Sequence, residues 1–393
     1  MKKKIILKKK TPAKLSMKLP VKKLPVKSEA EAIADQFDEQ REAEDFYDYE
    51  KESFVDPLTL IPTGSTTFNL ECSGRIEGAF RTGKMVNLIG DSHAGKTLFA
   101  FTVFAECALL ERFDNYRFIY DDVEAANEFN LALLFGKQCA DRIELVRSKT
   151  IEDYNDNVAR YLDDGRPFIH VLDSFDALTS EAAIEKDAEN RKKREKGNKT
   201  TGDYGDGKPK IFSRFCSQRI QDLSDNGSAL IIISQTRDNI GFGAMFTPKT
   251  RSGGKALKFY AFHEIWLACQ KKEKEGKRTI VTNVQAKLTK NKLTGNHGEV
   301  YFPILRDYGV DNLKSCIHFL QDEGDWTGTD GAINTKGFLA PYLTSTNKKK
   351  HPSIKMIIED IETNDRELEM FRLCQRTFDQ IMENLKPNRK PKY

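Results

Sequence analysis

Thirteen residues, Met85 to Thr97, constrain this chain more than any others; they read MVNLIGDSHAGKT. Met85 to Ile89 is a short, mostly apolar run of strand length. Gly90, Gly95, Lys96 and Thr97 then fit the spacing G-x-x-x-x-G-K-[ST], with Asp91, Ser92, His93 and Ala94 between them. Leu98-Phe99-Ala100 opens a helical pattern directly afterwards. Glycines at these places let the backbone curl until successive N–H groups converge on a phosphate, and the helix N-terminus adds partial positive charge. The stretch therefore predicts a bound nucleotide, with Lys96 reaching the β- and γ-phosphates and the Thr97 hydroxyl ligating magnesium. A glycine-rich turn with a surface lysine is the plainer alternative; a strand before and a helix after are the context that disfavours it.

The chain around this stretch repeats the same alternation. Apolar strands are expected at 117–120, 142–146, 167–172 and 229–234, with helical segments near 129–135, 151–162 and 211–223. Such alternation implies an α/β fold with a mostly parallel central sheet, flanked by helices, and with functional residues at the strand C-termini.

Composition sets the limits. The 393 residues suffice for one large α/β domain with appendages, and 39% hydrophobic residues suit a globular chain diluted by charged tails. A net charge of +4 does not by itself announce nucleic acid, so local distribution must. Seven scattered cysteines without a C-x-x-C pair read as buried hydrophobes of a reducing compartment. No apolar run approaches the roughly 20 residues of a membrane span, and the start MKKKIIL is too short in apolar residues for a signal peptide. An intracellular, cytoplasmic location without membrane contact is expected.

Three parts follow: a charged, largely disordered arm at 1–57, a core at 58–326, and a partly helical basic segment at 327–393. Residues 1–27 hold eleven lysines and no acid, suiting either a phosphate-seeking arm or a solubilising tail. Residues 28–52 reverse the sign with eleven acids, and Ala30, Ile33, Ala34 and Phe37 share one face of a possible short interface helix; an acidic linker folding back on the lysines is the alternative.

Strand ends carry the candidate chemistry. Asp173 fits the acid that holds magnesium through water beside Thr97. Glu124 is a candidate general base, with Asp121 and Asp122 as rivals. Gln235 suits a γ-phosphate sensor, or simply a capping amide. Two loop-like stretches stand out. In 185–210, Arg191, Lys192, Lys193 and Arg194 form a basic run, for which a solvated face is the usual explanation. In 236–254, the cations Arg237, Lys249 and Arg251 interleave with Ile240, Phe242, Met245 and Phe246 beside glycines that include Gly253 and Gly254. That mixture suits a nucleic-acid strand, with cations on phosphates and wedges between bases.

Taken in order, these blocks resemble the RecA family of ATP-dependent recombinases. Gly90 to Thr97 is followed by Asp122-Val-Glu124, Leu172-Asp-Ser-Phe-Asp-Ala-Leu-Thr179, Ile231-Ile-Ile-Ser-Gln235, Gly253-Gly-Lys-Ala-Leu-Lys-Phe-Tyr-Ala261 and Lys290-Asn-Lys292. The resemblance spans roughly residues 61–326 and implies a P-loop, RecA-like core. It further implies a helical homo-oligomeric filament on single-stranded DNA that pairs homologous duplex DNA, with ATP and Mg2+ at each subunit interface. Single-strand-binding and mediator proteins would be its further partners. Carried over by position, Gly90 to Leu98 hold the nucleotide, Thr97 and Asp173 the metal, and Lys96, Glu124 and Gln235 serve hydrolysis. Lys258, Lys290 and Lys292 reach the neighbour's ATP, Phe259 packs across the interface, and the two loops line the DNA. The chain departs from the family by having no tyrosine in Ala125 to Leu131, by its longer first loop, and by its basic last residues 386–393; such divergence resembles phage-encoded members. A ring-forming helicase of the same superfamily and an ATP-binding recombination mediator are the competing readings.

Overall fold

The computed structural model describes residues 55–197, 207–238, 249–251, 254–343 and 349–389. The charged arm, with its expected helix near 30–37, lies outside them. The described chain opens with β1 (Leu60–Ile61), helix α1 (Thr66–Ser73) and β2 (Phe80–Arg81), the two strands pairing antiparallel. Next come β3 (Met85–Gly90), α2 (Lys96–Ala108), β4 (Arg117–Asp122), α3 (Leu131–Phe135), α4 (Lys137–Ala140), β5 (Ile143–Val146) and α5 (Ile151–Asp163). They are followed by β6 (Phe168–Asp173), α6 (Glu181–Glu195), α7 (Lys208–Asn226) and β7 (Ala229–Asp238). A third group holds β8 (Lys249–Arg251), α8 (Gly254–Tyr260), the long hairpin β9 (His263–Glu275) and β10 (Arg278–Asn291), β11 (Glu299–Leu305), β12 (Gly309–Val310) and α9 (Asn312–Asp322). Two short hairpins and the helices α10 (Ile354–Thr363) and α11 (Glu367–Leu385) complete it.

The central sheet runs β12-β11-β10-β9-β3-β7-β6-β4-β5, with β8 paired to the end of β7. From β9 to β5 every neighbouring pair is parallel, and β10 to β12 add an antiparallel edge. Strands β3 and β6 are buried along their whole length, as a parallel sheet covered on both faces requires. One face packs on α2, whose Phe99, Phe101 and Phe104 are fully buried, together with Phe68 and Phe302. The other face packs on α5 and α7 through Tyr154, Val158, Phe212 and Phe215. Register places Gly90 beside Gln235 and Asp122 beside Asp173. The phosphate turn and the polar strand ends therefore share one edge of the sheet.

Three expectations change. The stretch 185–210 is not a loop throughout: α6 runs to Glu195 and α7 starts at Lys208, with 198–206 outside the described residues. Ser180 caps α6 by accepting from Ala183 N at 3.2 Å, Glu181 occupies the first turn, and Lys192, Lys193 and Arg194 occupy the last. That charge order complements the helix dipole, so the basic run stabilises a helix end. Strand β7 continues past Gln235 to Asp238 because β8 pairs with it, Arg237 lying opposite Thr250. The helical part expected within 327–393 is two helices rather than one, since Asp365 is left-handed (φ 51°) and Asn364 ends the first by bonding back to Asp360.

The segment beyond 327 buries its own apolar stripe. Ile357, Ile361, Met370 and Phe378 pack with Leu313, Ile317 and Leu320 of α9 and with Leu70 of α1. Gln375 joins the same seam, donating to Gly74 O at 2.8 Å and accepting from Ile76 N at 3.1 Å.

Candidate nucleotide-binding site

The turn between β3 and α2 has the shape its glycines predict. His93 (φ 65°) and Gly95 (φ 81°) are left-handed, which bends the backbone into a nest. A Cβ on Gly90 would come within 2.4 Å of Leu267 O, and one on Gly95 within 2.7 Å of Ile304 Cδ1. The backbone of β9 thus leaves no space for a side chain at Gly90, and at Gly95 the left-handed backbone disfavours one. Asp91, Ser92 and His93 are exposed; Ala94 and Leu98 are buried and anchor the turn.

Lys96 is buried, and its Nζ donates to Gly90 O (2.9 Å) and Asp91 O (2.8 Å). Burial lowers its pKa, while the carboxylates of Asp173, Glu124, Asp91 and Asp176 favour the charged form. Thr97 Oγ1 donates to Asp173 Oδ2 at 2.6 Å, and Tyr120 OH donates to the same oxygen at 2.9 Å. Burial raises the pKa of Asp173, against the two hydroxyls that favour its anion. A glycine cradle, an ammonium, a hydroxyl and a nearby carboxylate form the donor set for a magnesium nucleotide. Thr97 and Asp173 are the residues that could hold a magnesium ion, which would supply neutralisation of phosphate charge.

Glu124 is exposed at the end of β4. Its Oε1 accepts from Ser174 Oγ (2.6 Å) and from Gln235 Nε2 (2.9 Å). The peptide bond between Asp173 and Ser174 is cis. Both rivals of Glu124 are otherwise engaged. Asp121 is fully buried, accepting from Ser148 N (2.8 Å) and Ser148 Oγ (2.5 Å) beside His170. Burial works against its charge, yet the His170 imidazole 3.6 Å away and the two bonds from Ser148 lower its pKa on balance. Asp122 accepts from Ala126 N at 3.2 Å and lies 3.6 Å from Arg147. Of the three acids, Glu124 is the exposed one.

A family model of the RecA N-terminal domain matches residues 48–311. The chain belongs to the RecA family. It is 27% identical to Protein RecA of a Roseiflexus species over 308 residues, covering 72% of this chain and 77% of that protein. It is 26% identical to Protein RecA of a Nitratiruptor species over 332 residues, or 78% and 84%. RecA membership makes this an ATP-dependent DNA recombinase of recombination and repair, with DNA-dependent ATPase activity. The RecA fold expected from the sequence, a P-loop core on a mostly parallel sheet, is the one observed. RecA proteins use ATP with magnesium, bind single-stranded DNA and form filaments. Among the described residues no helix is long and apolar enough to cross a membrane.

The remaining RecA-like positions divide into groups. Lys258 and Phe259 lie on the exposed side of α8, Phe259 with 70% of its surface free. Lys290 Nζ donates to the carbonyls of Lys258 (2.5 Å) and Phe259 (2.9 Å), and Lys292 is exposed just beyond β10. Arg191, Lys192 and Arg194 are exposed, and Lys193 pairs with Glu189 at 3.8 Å. Lys249 and Arg251 belong to β8 and Gly254 starts α8, whereas Phe242, Met245, Phe246 and Gly253 lie outside the described residues. Arg237 lies 3.6 Å from Asp176. Sequence reasoning missed Tyr120, Ser174, Asp176 and Thr236, the last of which hydrogen-bonds Asp91. Their signal was position alone, each standing at or beside a strand end.

Proposed function

We propose that Gly90 to Leu98 cradle the triphosphate of ATP, with Lys96 on the β- and γ-phosphates and Thr97 and Asp173 holding Mg2+. Glu124 orients the attacking water on the γ-phosphate, and catalysis is mainly positioning and charge neutralisation. Gln235 reports the γ-phosphate to the segment that follows it. Lys258, Lys290 and Lys292 complete the site from the neighbouring subunit, and Phe259 packs across that contact. Arg191 to Arg194 and residues 237–254 bind single-stranded DNA, which the filament pairs with homologous duplex. In this reading 58–326 is the ATPase core and 327–393 an appended segment.

The observation that carries the proposal is the shared oxygen of Glu124. One amide links the candidate base to β7, the strand that leads into the second DNA segment (2.9 Å). Loss of the γ-phosphate then changes the partners of Gln235 and loosens the grip on DNA. Electron microscopy of the purified chain with single-stranded DNA and a slowly hydrolysed ATP analogue tests this directly. Long helical filaments with the analogue and few with ADP are expected. Closed rings would favour a helicase, and a monomer indifferent to nucleotide would overturn the reading.

A further inference from the structure

Lys208 lies near the end of a lysine-rich stretch, yet unlike Lys192, Lys196 and Lys210 around it, Lys208 is buried. Its ammonium donates to the carbonyls of Phe175 (3.2 Å), Asp176 (3.3 Å) and Leu178 (2.8 Å). It also sits 5.1 Å from the centre of the Phe175 ring. Taking an ammonium out of water is costly, and three carbonyls with an aromatic face are what make it tolerable. Position adds to the cost: Lys208 is the first residue of α7, where the helix dipole disfavours a cation. An apolar side chain of similar length would fill the space without that penalty. Packing alone therefore does not account for a lysine here.

The turn that Lys208 grips joins Glu124, β7 and the start of α7. It begins immediately after Asp173, and its Ser174 donates to Glu124 at 2.6 Å. Phe175 N donates to Ile233 O at 2.9 Å, tying the turn to β7. The Asp176 carboxylate accepts from Gln235 N at 2.7 Å and faces Arg237 at 3.6 Å. The first candidate DNA stretch thus ends, and the second begins, on the same five residues that hold Glu124.

We propose that Lys208 is a positioning residue that couples both candidate DNA segments to Glu124 through the Ser174–Leu178 turn. This rests on the DNA and nucleotide roles proposed above. DNA held by the first stretch bears on the start of α7, and the ammonium carries the carbonyls of the turn with it. Asp176 then shifts the backbone of Gln235, and with it the amide on Glu124.

The test measures ATP hydrolysis by the full chain with and without a single-stranded thymidine oligonucleotide. Lys208→Met, Lys208→Arg and Asp176→Ala are compared with the unmodified protein. Lys208→Met should keep DNA-independent hydrolysis within about threefold and lose about tenfold or more of the stimulation by DNA. Lys208→Arg, which keeps charge and donors, should restore part of it, and Asp176→Ala should lose stimulation too. Full stimulation in Lys208→Met overturns the proposal, as does an equal fall of basal and stimulated rates. Should Lys208→Met not fold, Asp176→Ala decides, full stimulation there again overturning it. An unmodified chain that DNA does not stimulate would instead overturn the functional reading itself.

Discussion

At the scale of single residues, the site depends on which acids are already occupied. Asp121 and Asp122 are spent on Ser148, Ala126 and Arg147, while Glu124 projects beyond the sheet edge with two neutral donors on one oxygen. Replacing Glu124 by Gln keeps the shape and removes the base, so turnover should fall by roughly 10²-fold or more. ATP-dependent binding to single-stranded DNA should persist and outlast that of the unmodified chain. Phosphate release and DNA binding measured together check this, and normal turnover would take Glu124 out of the role. The three acids in Asp121-Asp122-Val-Glu124 were indistinguishable as letters, because burial and partners are set by β6 and by Ser148, 27 residues further on. Lys208 was invisible for a similar reason: in a lysine-rich stretch, nothing local separates a buried ammonium from a solvated one.

At the scale of elements, the parallel strands were legible because a strand covered on both faces reads as a continuous apolar run. Part of the antiparallel edge was not. The far part of β9 is almost all charged, and its strand character comes from pairing with β10, at positions such as Lys272 opposite Thr282. Helix α6 was read as loop for the converse reason, its charges matching a helix dipole rather than an apolar face. His263, at the start of β9, gives this layer a pH signature. The imidazole is buried between Phe80 and Phe262, and burial depresses its pKa to about 4. An unfolded histidine titrates near 6.5, so the unfolded state takes up protons first. The stability His263 provides is full above pH 6.5 and falls away as pH drops from 6.5 to about 4, an effect on the order of 3 kcal/mol at most. His263→Phe should flatten this part of the curve of thermal midpoint against pH. An unchanged slope would assign the acid sensitivity elsewhere.

At the scale of the whole molecule, the proposed contact between subunits is the feature that matters most. Phe259 leaves 70% of its surface uncovered while Leu257, two residues earlier, is fully buried. One face of α8 thus serves the core and the other is free. Phe259→Ala should leave the thermal midpoint of the lone chain within a degree or two, as expected of an exposed site. It should also shorten or abolish filaments, as sedimentation in the presence of DNA and an ATP analogue would reveal. Filaments of normal length would remove Phe259 from the contact.

The tether of Lys290 to the last carbonyls of α8 gives that contact a cost of its own. In a solitary chain this ammonium already neutralises its own helix end. On the trans reading, a neighbour's triphosphate must draw the cation away from those two oxygens. Subunits meeting without nucleotide would have little to exchange for it, so joining and fuelling become one event rather than two.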